Sequence, residues 1–146
     1  MTDQASVVLR PATVGDAERI AALFTEEGYP AGTSDIVERL ERFAGEQAAV
    51  VVADIDGEVT GFVALHLLPR FEHGDHIARM LALVVDPGAR ERGIGGRLIA
   101  EAERIASEAG AAFIEVTAGH HRPDARRLYE AHGYDASVTA YLRKRL

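Results

Sequence analysis

The run Arg90-Glu91-Arg92-Gly93-Ile94-Gly95-Gly96-Arg97 stands between an apolar stretch, residues 80–85, and an amphipathic one, residues 94–109. A strand that feeds a glycine turn and then a helix presents backbone N–H groups with no Cβ in the way, because the first turn of a helix leaves its donors without intrahelical acceptors. With the positive end of the helix dipole added, such a turn is built to hold phosphate oxygens. A second group suited to proton chemistry is Glu72-His73-Gly74-Asp75-His76, in which either imidazole has an ordinary pKa fit for proton transfer near neutral pH. Glu115 is a further carboxylate of that kind. His73 with His76, and the adjacent pair His120-His121, lack the i, i+4 helical spacing of zinc-binding histidines, and no third ligand is positioned, so no metal site is read here. The chain has no cysteine, which removes disulfides, thiolate catalysis and thiolate metal sites together.

The neighbours of the glycine turn narrow the phosphate ligand. Gly93 to Arg97 is not followed by the Lys-Ser/Thr that would engage terminal phosphates and Mg²⁺, which disfavours a P-loop. The position of the third glycine in a dinucleotide fingerprint is Leu98, which disfavours that site as well. With 16 basic and 23 acidic residues the formal charge is −7, against a nucleic-acid binder and better suited to a small cationic substrate. Arg90, Arg92, Arg97 and Arg104 gather around the turn, and Arg122, Arg126 and Arg127 around a later segment, while the acidic excess lies mainly in the first half.

The elements that must position these residues alternate along a single domain spanning residues 1–146. Residues 7–10 read as a strand ended by Pro11. Thr13 with Asp16 resembles a helix start, and Ile20, Ala21, Leu23 and Phe24 give the apolar face of a first helix ending near Gly28. Ile36, Val37, Leu40 and Phe43 mark a second helix. Residues 48–54 and 59–68 are strands joined by the hairpin signal Asp56-Gly57, and 77–85 is a long strand stopped by Asp86-Pro87-Gly88. Ile94, Leu98, Ile99, Ala102, Ile105 and Ala106 form the stripe of a third helix ended by Gly110. A strand at 113–117, a helix at 124–132 and a last strand at 138–142 follow, which together make a mixed α/β sheet with helices on both faces. The apolar runs 48–53 and 80–85 fall far short of the roughly 20 residues of a membrane span. The start Met-Thr-Asp-Gln has no basic region followed by an apolar one, and the expected location is the cytoplasm.

This order resembles the GNAT superfamily of acyl-CoA-dependent N-acetyltransferases over nearly the whole chain. Leu83-Val84-Val85-Asp86-Pro87 resembles the family's fourth strand and its exit, and Arg90-Glu91-Arg92-Gly93-Ile94-Gly95 fits its Gln/Arg-x-x-Gly-x-Gly/Ala pattern. Ala125-Arg126-Arg127-Leu128-Tyr129-Glu130-Ala131-His132-Gly133-Tyr134 resembles its later motif, an Ala-x-x-x-Tyr helix running into Gly-Tyr. The resemblance implies a largely antiparallel sheet of six to seven strands, splayed at the fourth and fifth.

It implies acetyl-CoA as co-substrate, its pyrophosphate on backbone N–H groups of Arg92 to Arg97, its pantetheine arm beside Leu83, Val84 and Val85, and Tyr129 as the hydroxyl that protonates the leaving thiolate. The carboxylate that many relatives carry on the fourth strand is missing, since those positions are Leu81 and Ala82. Glu72, either histidine of that cluster (His73 or His76) and Glu115 are then the candidate bases, a histidine taking the proton of the ammonium through water, or the amine binds neutral and its proton passes to water. Arg122 stands where the family often has an asparagine. Glu26, Glu27, Asp35, Glu72 and Asp75 would give the acceptor site an acidic rim favourable to a cation. The expected acceptor is a small-molecule or peptide amine, with no nucleic-acid or membrane partner. The apolar last strand points to a homodimer. The alternative is a non-catalytic acyl-CoA-binding regulatory module of the same fold.

Overall fold

The computed structural model describes residues 6–118 and 123–146. Among them five strands form one sheet in chain order: β1 (Val7–Pro11), β2 (Ala48–Ile55), β3 (Glu58–Pro69), β4 (His76–Val85) and β5 (Ile114–Val116). The first four pair antiparallel, and β5 runs parallel to β4. The β2–β3 turn has positive φ at both central residues, 52° at Asp56 and 87° at Gly57, as a two-residue hairpin turn of matching twist requires. Gly57 N–H donates to Asp54 Oδ1 at 2.7 Å and closes the turn.

Strand alternation divides the apolar residues between two layers. Val52, Phe62 and Val84 face α1 (Ala17–Glu27) and α2 (Thr33–Arg42), where Ile20, Leu23 and Ile36 meet them. Val51, Ala53, Val63, Leu65, Ala78 and Met80 face α3 (Ile94–Glu108) through Ile94, Leu98, Ile99 and Ala102, joined by Tyr129 of α4 (Pro123–Ala131). Helices therefore cover both faces, and each large aliphatic side chain so buried contributes about 1.5–3 kcal/mol. The start of α1 is tied to the sheet. After a 3₁₀ turn at Val14–Asp16, the Asp16 carboxylate accepts from Thr13 N–H at 2.7 Å and from both terminal nitrogens of Arg10 at 2.9 Å. Those Arg10 hydrogen bonds hold the buried Asp16 carboxyl below the usual carboxylate range.

The feature that shapes the site lies in β4. Ala64 pairs with Ala82 but Leu65 with Met80, so Leu81 is an extra residue that bulges from the ladder. The bulge reverses the side-chain phase: Ala78 and Met80 face α3 before it, Leu83 and Val85 face the same way after it, and Leu81 is left exposed. β5 pairs with Ala78, Arg79 and Met80 and ends where the bulge begins. Asp86 N–H donates to Thr60 O, so residues 86 and 84 turn their ladder groups toward β3, and alternation turns those of Leu83 and Val85 toward the side without a described partner strand.

The expected last strand at 138–142 is not formed, and the sheet has five strands rather than six to seven among the described residues. Residues 139–146 have no regular structure and every residue from 135 to 146 is exposed. The alternation of Val138, Ala140 and Leu142 fits a strand, but a strand also needs a ladder for its N–H and C=O groups. Among the described residues none is provided, and the tail stays exposed.

Candidate active site

The exit of β4 is locked before the glycine turn begins. Asp86 accepts from Gly88 N–H at 2.9 Å, starting the 3₁₀ turn Pro87–Arg92, and forms an ion pair with Arg19 of α1. Arg19 also donates to Val59 O at 2.9 Å. Arg90 donates to Glu27 at 3.2 Å and to Val85 O at 3.3 Å, so it bridges α1 and the end of β4. Gly93 then takes a φ of 73°, a left-handed conformation that costs any residue with a Cβ roughly 1–2 kcal/mol. The first turn bond of α3 runs from Arg97 N–H to Gly93 O at 3.1 Å. The N–H groups of Ile94, Gly95 and Gly96 therefore have no acceptor within the helix, and Gly93 has no side chain to cap them. Arg92 and Arg97 are exposed beside them, with no carboxylate partner among the described residues. Glu91 lies within the same 3₁₀ turn, and the side chain of Ile94 is buried in the core, anchoring the turn from below.

Gly95 and Gly96 also serve packing. A methyl group on Gly95 would lie 3.3 Å from Leu128, and one on Gly96 would lie 3.0 Å from His132, so α4 rests on the first turn of α3. That contact carries Tyr129 into the core, where it is 8% exposed with its ring centroid 5.8 Å from that of Tyr134. Tyr134 O–H donates to Glu103 at 2.8 Å, which pins the end of α4 to α3. Burial, and then Glu103, push the Tyr134 phenol well above its ordinary pKa.

On the opposite face of the sheet a cavity of about 160 Å³ lies between α1, α2 and the strands. Phe24, Ile36, Phe43 and Phe62 form its apolar walls, Leu81 and Ala82 of the bulge form one side, and Arg39 stands at its edge. The Arg39 guanidinium lies 5.9 Å from the centroid of Phe24, whose ring meets Phe62 edge-on at 4.9 Å. The bulge is thus the place where the apolar cavity on one face approaches the open backbone edge of Leu83 and Val85.

The structure brings Leu83, Val84, Val85 and the 90–97 turn together, with Tyr129 on the helix packed against that turn. It sets the other candidates apart. Glu72 and His73 are exposed in the loop between β3 and β4, at the far end of a strand that rises roughly 25 Å between His76 and Val84. Asp75 of that loop is held by Arg70 through paired contacts at 2.7 Å, which keep its carboxyl below the ordinary range. His76 Nε2 meets Ala109 O at 2.8 Å and Glu115 forms an ion pair with Arg79, so both have structural partners. His120, His121 and Arg122 lie outside the described residues.

The acidic rim also resolves into local contacts, since Glu27 holds Arg90 and Asp35 accepts from Gly32 N–H at 2.9 Å. Arg19 and Arg39 were not found from the sequence, and Glu27 reads there as part of an acidic rim rather than as the partner of Arg90. Their roles rest on pairings tens of residues apart, and no local spacing signals them. Among the described residues, no three His, Cys, Asp or Glu side chains are grouped to hold a metal ion, and no helix is long and apolar enough to cross a membrane.

Comparison with known proteins covers both the fold and the turn. The model of the Acetyltransferase (GNAT) family matches residues 16–134. An uncharacterized N-acetyltransferase of Bacillus subtilis is 31% identical over 134 residues, covering 87% of this chain and 89% of the relative. The aminoalkylphosphonate N-acetyltransferase of Salmonella typhimurium is 39% identical over 82 residues, which span 56% of this chain and 53% of that protein. Among solved structures, a transcriptional regulator from Bacillus halodurans superposes with a TM-score of 0.85 at 28% identity, over 97% of this chain and 100% of that one. Glucosamine-6-phosphate N-acetyltransferase from Arabidopsis thaliana shares the fold, with a TM-score of 0.81 at 12% identity over 95% of this chain and 98% of that one.

Proposed function

The chain belongs to the acetyltransferase (GNAT) family and is an acyltransferase, and from that premise we propose that it transfers the acetyl group of acetyl-CoA to a primary amine by direct attack. The observation that carries the proposal is the open ladder edge of Leu83 and Val85, with the uncapped first turn of α3 at one end and the apolar cavity across the bulge. Acetyl-CoA supplies the acetyl group as a thioester whose carbonyl a neutral amine can attack. The N–H groups of Ile94, Gly95 and Gly96, with Arg92 and Arg97 beside them, hold the pyrophosphate, and the α3 dipole adds attraction. Glu91 contributes backbone to that cradle, and Arg90 keeps the cradle joined to β4 through Val85 O.

The ladder groups of Leu83 and the N–H of Val85 hold the pantetheine arm as a neighbouring strand would, the Val85 carbonyl being engaged by Arg90, and an N–H of the Leu83-Val84-Val85 run polarises the thioester carbonyl. Tyr129 O–H protonates the leaving thiolate. No carboxylate lines the cavity, so the proton of the amine leaves through water. Glu72 and His73 enter this scheme only as acceptors at the end of such a path. The likeness to an aminoalkylphosphonate N-acetyltransferase supports a small primary amine as acceptor. The proposal includes a homodimer, formed through the exposed tail of residues 135–146 laid along the open edge of β5 in a second copy.

Thermal denaturation with and without ligand tests the assignment, because a ligand bound to the native state alone raises stability as RT ln(1 + [L]/Kd). Acetyl-CoA at about 100 times its Kd should raise stability by about 2.7 kcal/mol, and ATP should not. Addition of an accepted amine should then release CoA. Absence of stabilisation by acetyl-CoA rejects the assignment. Stabilisation without CoA release across a broad amine panel leaves a binding module instead.

A further inference from the structure

We infer that the acceptor is a short amine carrying an anionic group, taken up in the cavity between α1, α2 and the β4 bulge with its anion on Arg39. The inference rests on the acetyl-transfer reading and adds the acceptor class to it. The cavity walls are apolar, and Arg39 is the only ionisable side chain among its lining residues. Arg39, like Arg92 and Arg97 of the turn, stands apart from the arginines that are paired. Arg42 on the same helix meets Glu38 at 3.6 Å, and Arg10, Arg70 and Arg90 each hold a carboxylate, whereas Arg39 has no carboxylate partner among the described residues. It is held over the face of Phe24 instead, at 5.9 Å, which fixes the guanidinium at the cavity edge. Its N–H donors remain available in the planar fork that matches a carboxylate or phosphonate.

The charges around the cavity favour the same acceptor. Glu38 and Glu41 share α2 with Arg39, but neither lines the cavity; Asp35 caps the start of that helix. No wall carboxylate is present to hold an ammonium, and the nearby guanidinium disfavours one, so an amine entering here is shifted toward the neutral form that can attack. A second cationic group on the acceptor would be repelled. At about 160 Å³ the space is below the roughly 300–1,000 Å³ of pockets that enclose drug-sized ligands, which suits a compact body between amine and anion. Leu81 and Ala82 line the cavity, so an amine at its inner end stands next to the bulge where β4 opens.

The test measures CoA release with acetyl-CoA and matched acceptors. Straight-chain alkylamines are compared with ω-amino carboxylates and ω-aminoalkyl phosphonates of the same carbon number, and with diamines. The acidic set should show kcat/KM roughly tenfold or more above the alkylamines, with diamines poorest, as expected for one charge-assisted hydrogen-bonded pair. Arg39→Gln should raise KM for the acidic acceptors about tenfold and bring the acid-to-alkyl preference toward one, with Arg39→Lys restoring part of it, while stabilisation by acetyl-CoA persists. Equal use of acidic and neutral amines, a preference for diamines, or a preference untouched by Arg39→Gln overturns the acceptor assignment alone. Absence of acetyl-CoA stabilisation in the wild-type chain removes both this assignment and the transfer reading beneath it.

Discussion

At Tyr129 a packing role and a chemical role coincide, and a single hydroxyl separates them. The ring is buried and meets Tyr134, so phenylalanine keeps the volume and most of the contacts. Tyr129→Phe should cost no more than about 1.5 kcal/mol of stability and leave stabilisation by acetyl-CoA in place. If the hydroxyl protonates the leaving thiolate, kcat should fall by about 10²–10⁴. Steady-state kinetics with an accepted amine decides, and an unchanged kcat confines Tyr129 to the core. The residues legible in the sequence were those with a local signature: the glycines of the turn, the tyrosine four residues after Ala125, and Asp86 at the strand exit. Arg39 and Arg19 left no such trace. Arg39 has a neighbouring Phe24 ring and no carboxylate partner among the described residues, and Arg19 has a partner 67 residues away.

The elements were nearly all readable from periodicity, yet the detail that makes β4 useful was not. Residues 80–85 read as a plain apolar strand, because a bulge depends on how many residues the opposite strand supplies. Leu81 is the surplus, and its exposure follows from that count and not from its type. The position of the bulged strand relative to α3 is held by Gly61 on β3, where a Cβ would lie 2.9 Å from Val84 O and 3.3 Å from Leu98. The first neighbour is backbone and cannot rotate away. Gly61→Ala should therefore destabilise by about 1–3 kcal/mol. It should also weaken stabilisation by acetyl-CoA, because Val84 must shift between the two residues proposed to hold the pantetheine arm. Gly45→Ala is the control, since a Cβ there meets nothing within 4 Å. Parallel melts of the two variants with and without acetyl-CoA check both effects. Equal behaviour of the two would separate Gly61 from the site.

The whole molecule leaves one expected element unplaced, and its exposure carries the last prediction. Val138 is 74% exposed, Tyr141 61%, Leu142 87% and Leu146 111%, a concentration of large apolar side chains on one segment. The same segment alternates as a strand would, but no ladder among the described residues receives it. β5, three residues long at the edge of the sheet, presents unpaired backbone groups on its outer side among the described residues. A tail that supplies strand pairing and an edge that lacks it satisfy each other when two copies exchange tails about a two-fold axis. Size-exclusion chromatography with light scattering should then give about twice the 15.7 kDa of one chain, with dissociation on dilution. Val138→Asp combined with Leu142→Asp should return a monomer whose circular dichroism and acetyl-CoA stabilisation are retained, because neither residue packs on the core. Removal of residues 136–146 should do the same, and it spares Tyr134 and its bond to Glu103. A wild-type chain that remains at the mass of one copy across concentration would show that water alone covers the tail.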